Sequence, residues 1–204
     1  MVDYDLMAEN FDTEERKARS RAFADEIRKH ITDGKSKSAI EFGCGTGLVG
    51  LELIDSFDSL TFIDSTPSMI KQLEHKLLTL GKDTTQVLCC DVLEETPENL
   101  SADCIFSSLV LHHIIETESA LECLYNLLNK DGRLLIIELD ADDGSFHAKH
   151  DNYDGHNGFE HSVLSDLAAK VGFRQVTTKT FYHGVNIVNG KEAPYSFFIM
   201  DALK

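Results

Sequence analysis

Four glycines crowd one short stretch: Gly43, Gly45, Gly47 and Gly50 follow directly on the apolar run Ser38–Phe42. Glycine permits a tight turn and leaves room for a ligand to lie against the backbone. The amide hydrogens of such a loop, with the start of the apolar helix through Leu48, Leu51, Leu53 and Ile54, favour a polar or anionic guest. Three carboxylates are placed around it: Glu41 at the end of that first run, Asp64 after Leu60–Ile63, and Asp91 after Gln86–Cys90. Ionised carboxylates make strong hydrogen bonds to hydroxyls and amines. His112 and His113 follow the apolar run Cys104–Leu109, and histidine is the residue type suited to proton transfer near neutral pH. Holding a polar guest and moving a proton are the chemistries on offer.

Two nucleotide readings compete for the loop. Gly45-Thr-Gly47-Leu-Val-Gly50 matches the G-x-G-x-x-G of dinucleotide sites, and Asp64 stands 19 residues beyond Gly45, near the place of a ribose-binding acid. The phase is against it. The strand ends at Phe42, so the first contacting glycine is Gly43 and the spacing from there is G-x-G-x-G. A pyrophosphate would meet the carboxylate of Glu41, and no Lys or Arg lies between Glu41 and Asp64 to offset that charge. A phosphate-free guest with an ammonium and a sulfonium would be attracted instead. Taken alone, the loop also fits plain strand-to-helix packing.

The elements that must position these groups alternate along the chain. Asp12-Thr-Glu-Glu15 fits a capping box with Asp12 at the N-cap and predicts a helix to Ile31. Within it, Arg16 to Arg28 interleaves charge with Ala18, Ala22, Phe23 and Ile27, the pattern of a solvated amphipathic helix. Pro67 opens a helix carrying Met69, Ile70, Leu73 and Leu77. Ser119–Leu128 and Val163–Val171 read as further helices, the second ended by Gly172. Gly132–Leu139 is a long hydrophobic strand, and Gln175–Val188 and Ser196–Ala202 are two more, joined by Asn-Gly-Lys-Glu-Ala-Pro and expected to add an antiparallel edge. Seven strands alternating with helices predict an α/β fold: a single doubly wound, Rossmann-like domain, its seven-stranded sheet mostly parallel with an antiparallel C-terminal strand. Ligands of such sheets sit beyond the carboxyl ends of the strands, where strand order reverses. The chain divides into an N-terminal helical cap (1–34), a core (38–140), a lid loop (141–160), and a C-terminal helix with two strands (161–204). Asp140 to Gly158 is polar and long for a connection, which is why it reads as a lid or binding loop.

Charge narrows the partners. In 204 residues there are 35 acidic and 19 basic side chains, a net charge of −16. Such a chain repels polyanions, so no nucleic-acid partner is expected. No apolar run reaches the roughly 18 residues of a membrane helix, so no membrane partner is expected. The acidic opening Met-Val-Asp-Tyr-Asp-Leu lacks the features of a secretory signal. Five cysteines without a C-x-x-C give no disulfide or zinc framework, and Cys89, Cys90, Cys104 and Cys123 are expected in strand or helix cores. A cytoplasmic protein is the simplest expectation.

Glu41-Phe-Gly-Cys-Gly-Thr-Gly-Leu48 resembles motif I of the class I S-adenosylmethionine-dependent methyltransferases. Four further stretches carry the likeness in the family's order: Phe62-Ile-Asp-Ser-Thr-Pro-Ser-Met69, Cys89-Cys-Asp-Val-Leu93, Asp103 to Ile114, and Lys130-Asp-Gly-Arg-Leu-Leu-Ile-Ile-Glu138. Together they cover Ile40 to Leu139; Asp131 replaces the usual proline before Gly132. The resemblance implies S-adenosylmethionine as cofactor and S-adenosylhomocysteine as product. It implies that Asp64 takes both ribose hydroxyls, that Met69 lies near the adenine, and that Asp91 and Val92 hold the adenine amine and ring. Glu41 would balance the methionine ammonium directly or through water. Gly43, Cys44, Gly45 and Gly47 form the loop against the guest, and Ser65 and Ser108 complete the set. Each has a plainer alternative: Asp64 as a helix cap, Asp91 as a turn residue, Met69 as core.

The implied reaction is methyl transfer to a small-molecule acceptor, at an O, N or C atom left open, by a monomer or homodimer. There is no N-P-P-Y-type motif after Phe106, and no added recognition domain is expected. His112 and His113 are the candidate catalytic bases, with local packing as the alternative for each. Asp140, Asp142, Asp143, His147, His150, His156 and His161 form a second cluster whose spacing fits no zinc motif, so no metal is expected. The expectation is a lid that closes over the substrate together with Tyr4 to Phe11. Cys44 reads as a small residue filling a tight turn, not as a nucleophile. Two other functions stay open: a nicotinamide-dependent oxidoreductase using Gly45, Gly47 and Gly50, and a non-catalytic protein that keeps the cofactor pocket.

Overall fold

A computed structural model describes residues 8–31, 38–95, 97–148 and 153–204. Seven strands form one sheet: β1 (Ser38–Phe42), β2 (Ser59–Asp64), β3 (Gln86–Cys89), β4 (Ala102–Ser108), β5 (Leu128–Leu139), β6 (Arg174–Val188) and β7 (Lys191–Leu203). Their order is β3-β2-β1-β4-β5-β7-β6, so strand order reverses between β1 and β4. The pairs β1–β2, β2–β3, β1–β4 and β4–β5 are parallel. Five helices cover the faces: α1 (Glu14–His30), α2 (Leu48–Leu53), α3 (Pro67–Thr79), α4 (Thr117–Leu127) and α5 (His161–Val171).

Strand side chains alternate between two cores, as a sheet covered on both faces requires. Phe62, Phe106, Leu135 and Ile137 join Phe23 and Ile27 of α1, Leu53 of α2 and Leu73 of α3. On the other face Ile40, Ile63, Ile105, Leu134 and Ile136 meet Leu121 and Leu124 of α4 and Leu164 of α5. Burial of each such side chain is worth about 1.5–3 kcal/mol against leaving it exposed. Among the described residues no helix is long and apolar enough to cross a membrane.

Two expectations change in detail. The N-cap of α1 is Thr13, whose hydroxyl accepts from the Arg16 N–H at 3.2 Å, not Asp12. Asp12 is drawn away because its carboxylate has better partners: the Thr46 hydroxyl at 2.6 Å and the Lys76 ammonium. The C-terminal pair is not simply appended as an edge. β7 lies between β5 and β6 and runs antiparallel to both. Asn189 and Gly190, both at positive φ (52° and 75°), turn the chain back in two residues, as a tight hairpin demands. Phe197, Phe198, Ile199 and Met200 of β7 are at most 1% exposed, and only an interior strand buries both of its faces. The hairpin also outruns the sheet, since β7 leaves β5 at Phe197 while its pairing with β6 continues to Lys191.

Candidate active site

The loop from β1 to α2 is left-handed at Gly43, Gly45 and Gly47 (φ 68°, 53° and 77°), a conformation that favours glycine. It is pinned to β2: the Cys44 N–H donates to the Ile63 carbonyl at 2.9 Å, and the Gly45 N–H to the Asp64 carboxylate at 2.7 Å. Gly50 has a different reason to be glycine. A Cβ there would lie 2.2 Å from Glu41 Oε2 and 2.4 Å from Phe62 Cε1.

Glu41 is 2% exposed, and both of its carboxyl oxygens receive the Gly50 N–H, at 3.1 and 3.2 Å. Burial pushes this carboxyl up to about 8 from an ordinary 4.5; neighbouring Asp64 adds to the rise, while the Gly50 N–H and Lys76 oppose it. The permanent negative charge expected at the loop is thus conditional, held as a proton until a cation meets it. The carboxyl also takes the amino end of α2, the place a dinucleotide would give its pyrophosphate. Burial likewise drives the Cys44 thiol far above its usual range, which suits a turn filler and not a nucleophile.

Asp64 ends β2 with its second oxygen accepting the Thr66 N–H at 2.8 Å, so it fastens both the glycine loop and the start of α3. It is not the helix cap; that position is Thr66. Asp91 accepts the Leu93 N–H at 3.0 Å in a turn after β3, with Val92 buried beside it at 1% exposure. Met69 is core and cleft at once, 2% exposed yet lining the opening.

Beyond β4, Leu109 takes a left-handed turn (φ 58°) and the chain delivers His112 against Glu138 near the end of β5. Leu109 is one of the few non-glycine residues at positive φ, a strain often found at functional sites. His112 Nδ1 lies 2.7 Å from Glu138 Oε2, and the His112 backbone N–H donates to Oε1 at 3.2 Å. Residues 153–156 fold onto the same point: the Tyr153 hydroxyl and the His156 N–H both donate to the His112 carbonyl, at 2.8 and 2.7 Å. His147 stacks on Tyr153 with ring centroids 3.8 Å apart.

These parts enclose a cleft of about 1120 Å3 at the carboxyl ends of β1, β2 and β4. It is lined by Glu41, Gly43, Cys44, Gly45, Asp64, Ser65, Met69, Asp91, Val92, Ser108, His112 and His113, all singled out by sequence. Gly47 alone of that set is absent from the lining; its φ and its packing on Leu73 explain it. Phe11, at the end of the segment expected over the substrate, lines the cleft, as do Phe146 and Tyr153 of the expected lid loop; sequence reasoning missed Arg16, Arg19 and Phe23 from α1 and Asn186 from the hairpin. It also missed Glu138, whose strand pattern reads as uniformly buried.

The acid and histidine cluster does not converge. Asp142 and Asp143 accept from the Gly144 and Ser145 N–H groups in tight turns, at 2.7 and 3.0 Å. His161 pairs with Asp140 at 2.6 Å, while His156 turns its ring to the Ile114 carbonyl and Thr117. Among the described residues no group of three or more His, Cys, Asp or Glu could hold a metal ion. His150 and Tyr4 lie outside the described residues. Contrary to expectation, Cys89 is exposed and Cys90 and Cys123 are only partly buried, because the first two fall at the end of β3, the outermost strand, and the third at the rim of α4.

Comparison with known proteins agrees with this architecture. The family model described as a methyltransferase domain matches residues 40–134. An uncharacterized methyltransferase of Schizosaccharomyces pombe is 26% identical over 117 residues, covering 54% of this chain and 41% of that protein. The tRNA U34 carboxymethyltransferase of Proteus mirabilis is 29% identical over 144 residues, covering 70% of this chain and 44% of that protein. The chain thus spans less than half the length of these curated relatives. A SAM dependent methyltransferase from Aquifex aeolicus has a TM-score of 0.72 at 16% identity, covering 100% of this chain and 99% of its own. Haemonchus contortus phosphoethanolamine N-methyltransferase 2, solved with S-adenosyl-L-methionine, has a TM-score of 0.72 at 14% identity, covering 100% of this chain and 60% of its own. At such identities the likeness to the solved structures is one of fold.

Proposed function

We propose that the chain, whose residues 40–134 match a methyltransferase-domain model, is a class I S-adenosylmethionine-dependent enzyme that moves the methyl group of S-adenosylmethionine to a small-molecule acceptor and releases S-adenosylhomocysteine. One observation carries the reading. Around the glycine loop the cleft presents Glu41, Asp64 and Asp91, and among the described residues the Lys or Arg side chains that line it, Arg16 and Arg19, come from α1. That distribution suits a nucleoside with cationic groups and no phosphate, and it disfavours a nicotinamide dinucleotide.

The residues fit such a guest. Asp64 keeps lone pairs for a cis-diol beyond the two backbone N–H groups it already holds. Asp91 stands ready for an exocyclic amine, with Met69 and Val92 as apolar walls for a ring. Glu41 beneath the loop answers an ammonium by releasing its proton. S-adenosylmethionine supplies a methyl group already activated by the sulfonium charge. What falls to this chain is to hold the acceptor in line and, for a protic acceptor, to receive its proton. His112 and His113 at the rim are the groups for that task.

A cleft of about 1120 Å3 exceeds the usual range for one ligand and leaves room for an acceptor beside the cofactor. Phe11, Phe23, Phe146 and Tyr153 also line the cleft, which favours a compact acceptor with an apolar body. The loop 141–160 acts as its lid. A tRNA acceptor, suggested by the name of the Proteus mirabilis relative, is opposed by a net charge of −16. Isothermal titration with S-adenosylmethionine and S-adenosylhomocysteine tests the reading, followed by tritiated-methyl transfer to small acceptors and to bulk tRNA. No heat of binding at millimolar cofactor would remove it, and label in tRNA alone would replace the acceptor class.

A further inference from the structure

Glu138 is 0% exposed, a carboxylate at the end of an interior strand that would be costly without partners. It has three. Oε1 accepts the His112 backbone N–H at 3.2 Å; Oε2 accepts the Leu139 N–H at 3.1 Å and faces His112 Nδ1 at 2.7 Å. With two backbone N–H groups already donating to it, Glu138 stands here as an acceptor, and the geometry assigns the proton of the third contact to Nδ1. Nε2 is then the ring nitrogen that carries the lone pair. It has no hydrogen-bond partner among the described residues, and His112 lines the cleft.

Resting on the methyltransferase reading, we propose that Glu138 is a positioning residue that fixes His112 with Nε2 open to the cleft, and that the acceptor is therefore protic: a hydroxyl, thiol or amine that gives up a proton as it is methylated. In the step, the acceptor heteroatom bonds to the methyl carbon and the carbon–sulfur bond breaks with its electron pair left on sulfur. The acceptor proton passes to Nε2. The resulting imidazolium is neutralised by the Glu138 carboxylate, so the buried pair goes from one net charge to none. Other groups facing the ring are His113 at 4.1 Å and His147 at 5.1 Å between centroids, with Tyr153 at 6.5 Å. The lid grips the same residue from behind through Tyr153 and His156, and a Cβ on Gly155 would lie 2.3 Å from the His112 carbonyl oxygen. Tyr153 and His156 thereby hold the backbone of the residue whose ring Glu138 orients.

Two measurements test it, both on the full chain. The first is a long-range 1H–15N spectrum of histidine-labelled protein, His112 assigned by its loss in H112Q. The expected result is Nδ1 protonated and Nε2 bare at pH 8; a proton on Nε2, in the neutral ring or the imidazolium, overturns the proposal. The second is turnover of phenol, catechol, thiol and primary amine acceptors, with a thioether and a tertiary amine as the aprotic acceptors, using tritiated-methyl S-adenosylmethionine. E138Q should bind the cofactor within about twofold of wild type and lose roughly 100-fold in kcat. Its rate profile should shift its acid limb to lower pH, and E138D should restore part of the rate. Unchanged kcat and profile in E138Q, or turnover confined to aprotic acceptors, overturns it. Should E138Q not fold, E138D against H112Q decides, and with no acceptor turned over the tautomer decides alone. Failure of the wild type to bind cofactor is a failure of the methyltransferase reading and leaves the tautomer result standing.

Discussion

The backbone N–H of Gly50 lies 3.1 and 3.2 Å from the two carboxyl oxygens of Glu41, beneath the turn that joins β1 to α2. Folded, Glu41 keeps its proton to about pH 8; unfolded, it gives it up near 4.5. The unfolded chain binds fewer protons between those values, so this group's contribution to stability falls as pH rises through the window, by on the order of 3 kcal/mol at pH 7. Urea unfolding of E41Q should show a flatter pH dependence than wild type between about pH 5 and 8. S-adenosylmethionine should release a proton from Glu41 on binding, seen as a buffer-dependent heat that E41Q lacks; identical slopes and heats in both proteins would sink this account.

Gly50 is held to glycine by its neighbours and not by its backbone. In a helix, alanine is preferred to glycine by about 1 kcal/mol. With Glu41 and Phe62 where they are, G50A should instead destabilise by roughly 2 kcal/mol, the usual scale of overpacking. Chemical denaturation settles the sign.

Asp64 serves the loop and the guest together. D64N keeps an acceptor for one backbone N–H but sets an amide against the other, and D64A leaves the Gly45 and Thr66 N–H groups unpaired. Losing a charged acceptor of this kind costs about 1.5–3 kcal/mol, so D64A should weaken S-adenosylmethionine binding at least tenfold by titration calorimetry. Equal affinity in D64A would place the diol elsewhere.

Asp12 reaches across from the start of α1 to Thr46 and Lys76. D12A should destabilise by about 1 kcal/mol and speed amide exchange at residues 43–47, where Lys76 also holds the Thr46 carbonyl at 2.7 Å. T13A should cost about as much through loss of the cap yet leave exchange in the loop unaltered. That contrast separates the two roles.

Tyr153 donates its hydroxyl to the carbonyls of both His112 and His156, at 2.8 and 2.9 Å. Y153F should leave the sheet intact and raise the rate of protease cleavage within 141–160 several-fold. In wild type, cofactor product should slow the same cleavage. Mass mapping of the first cut reads both.

What the sequence determined by itself is local. Alternating apolar runs set the strands, since a sheet buried on both faces asks for them. The glycine loop, Asp64 and Asp91 are legible because each sits at a strand end, where position along the chain already dictates position at the mouth of the sheet. The tertiary structure decided whatever depended on partners distant in sequence. Asp12 looks like a cap until Thr46 and Lys76 are brought beside it. Glu41 looks like a fixed charge until burial returns its proton. Glu138 lies 26 residues from His112 and is concealed in a hydrophobic run; only the pairing of β4 with β5 sets the two in contact. Insertion of β7 between β5 and β6 depends on burying both faces of Phe197–Met200, a requirement that pattern shows but whose solution only packing selects.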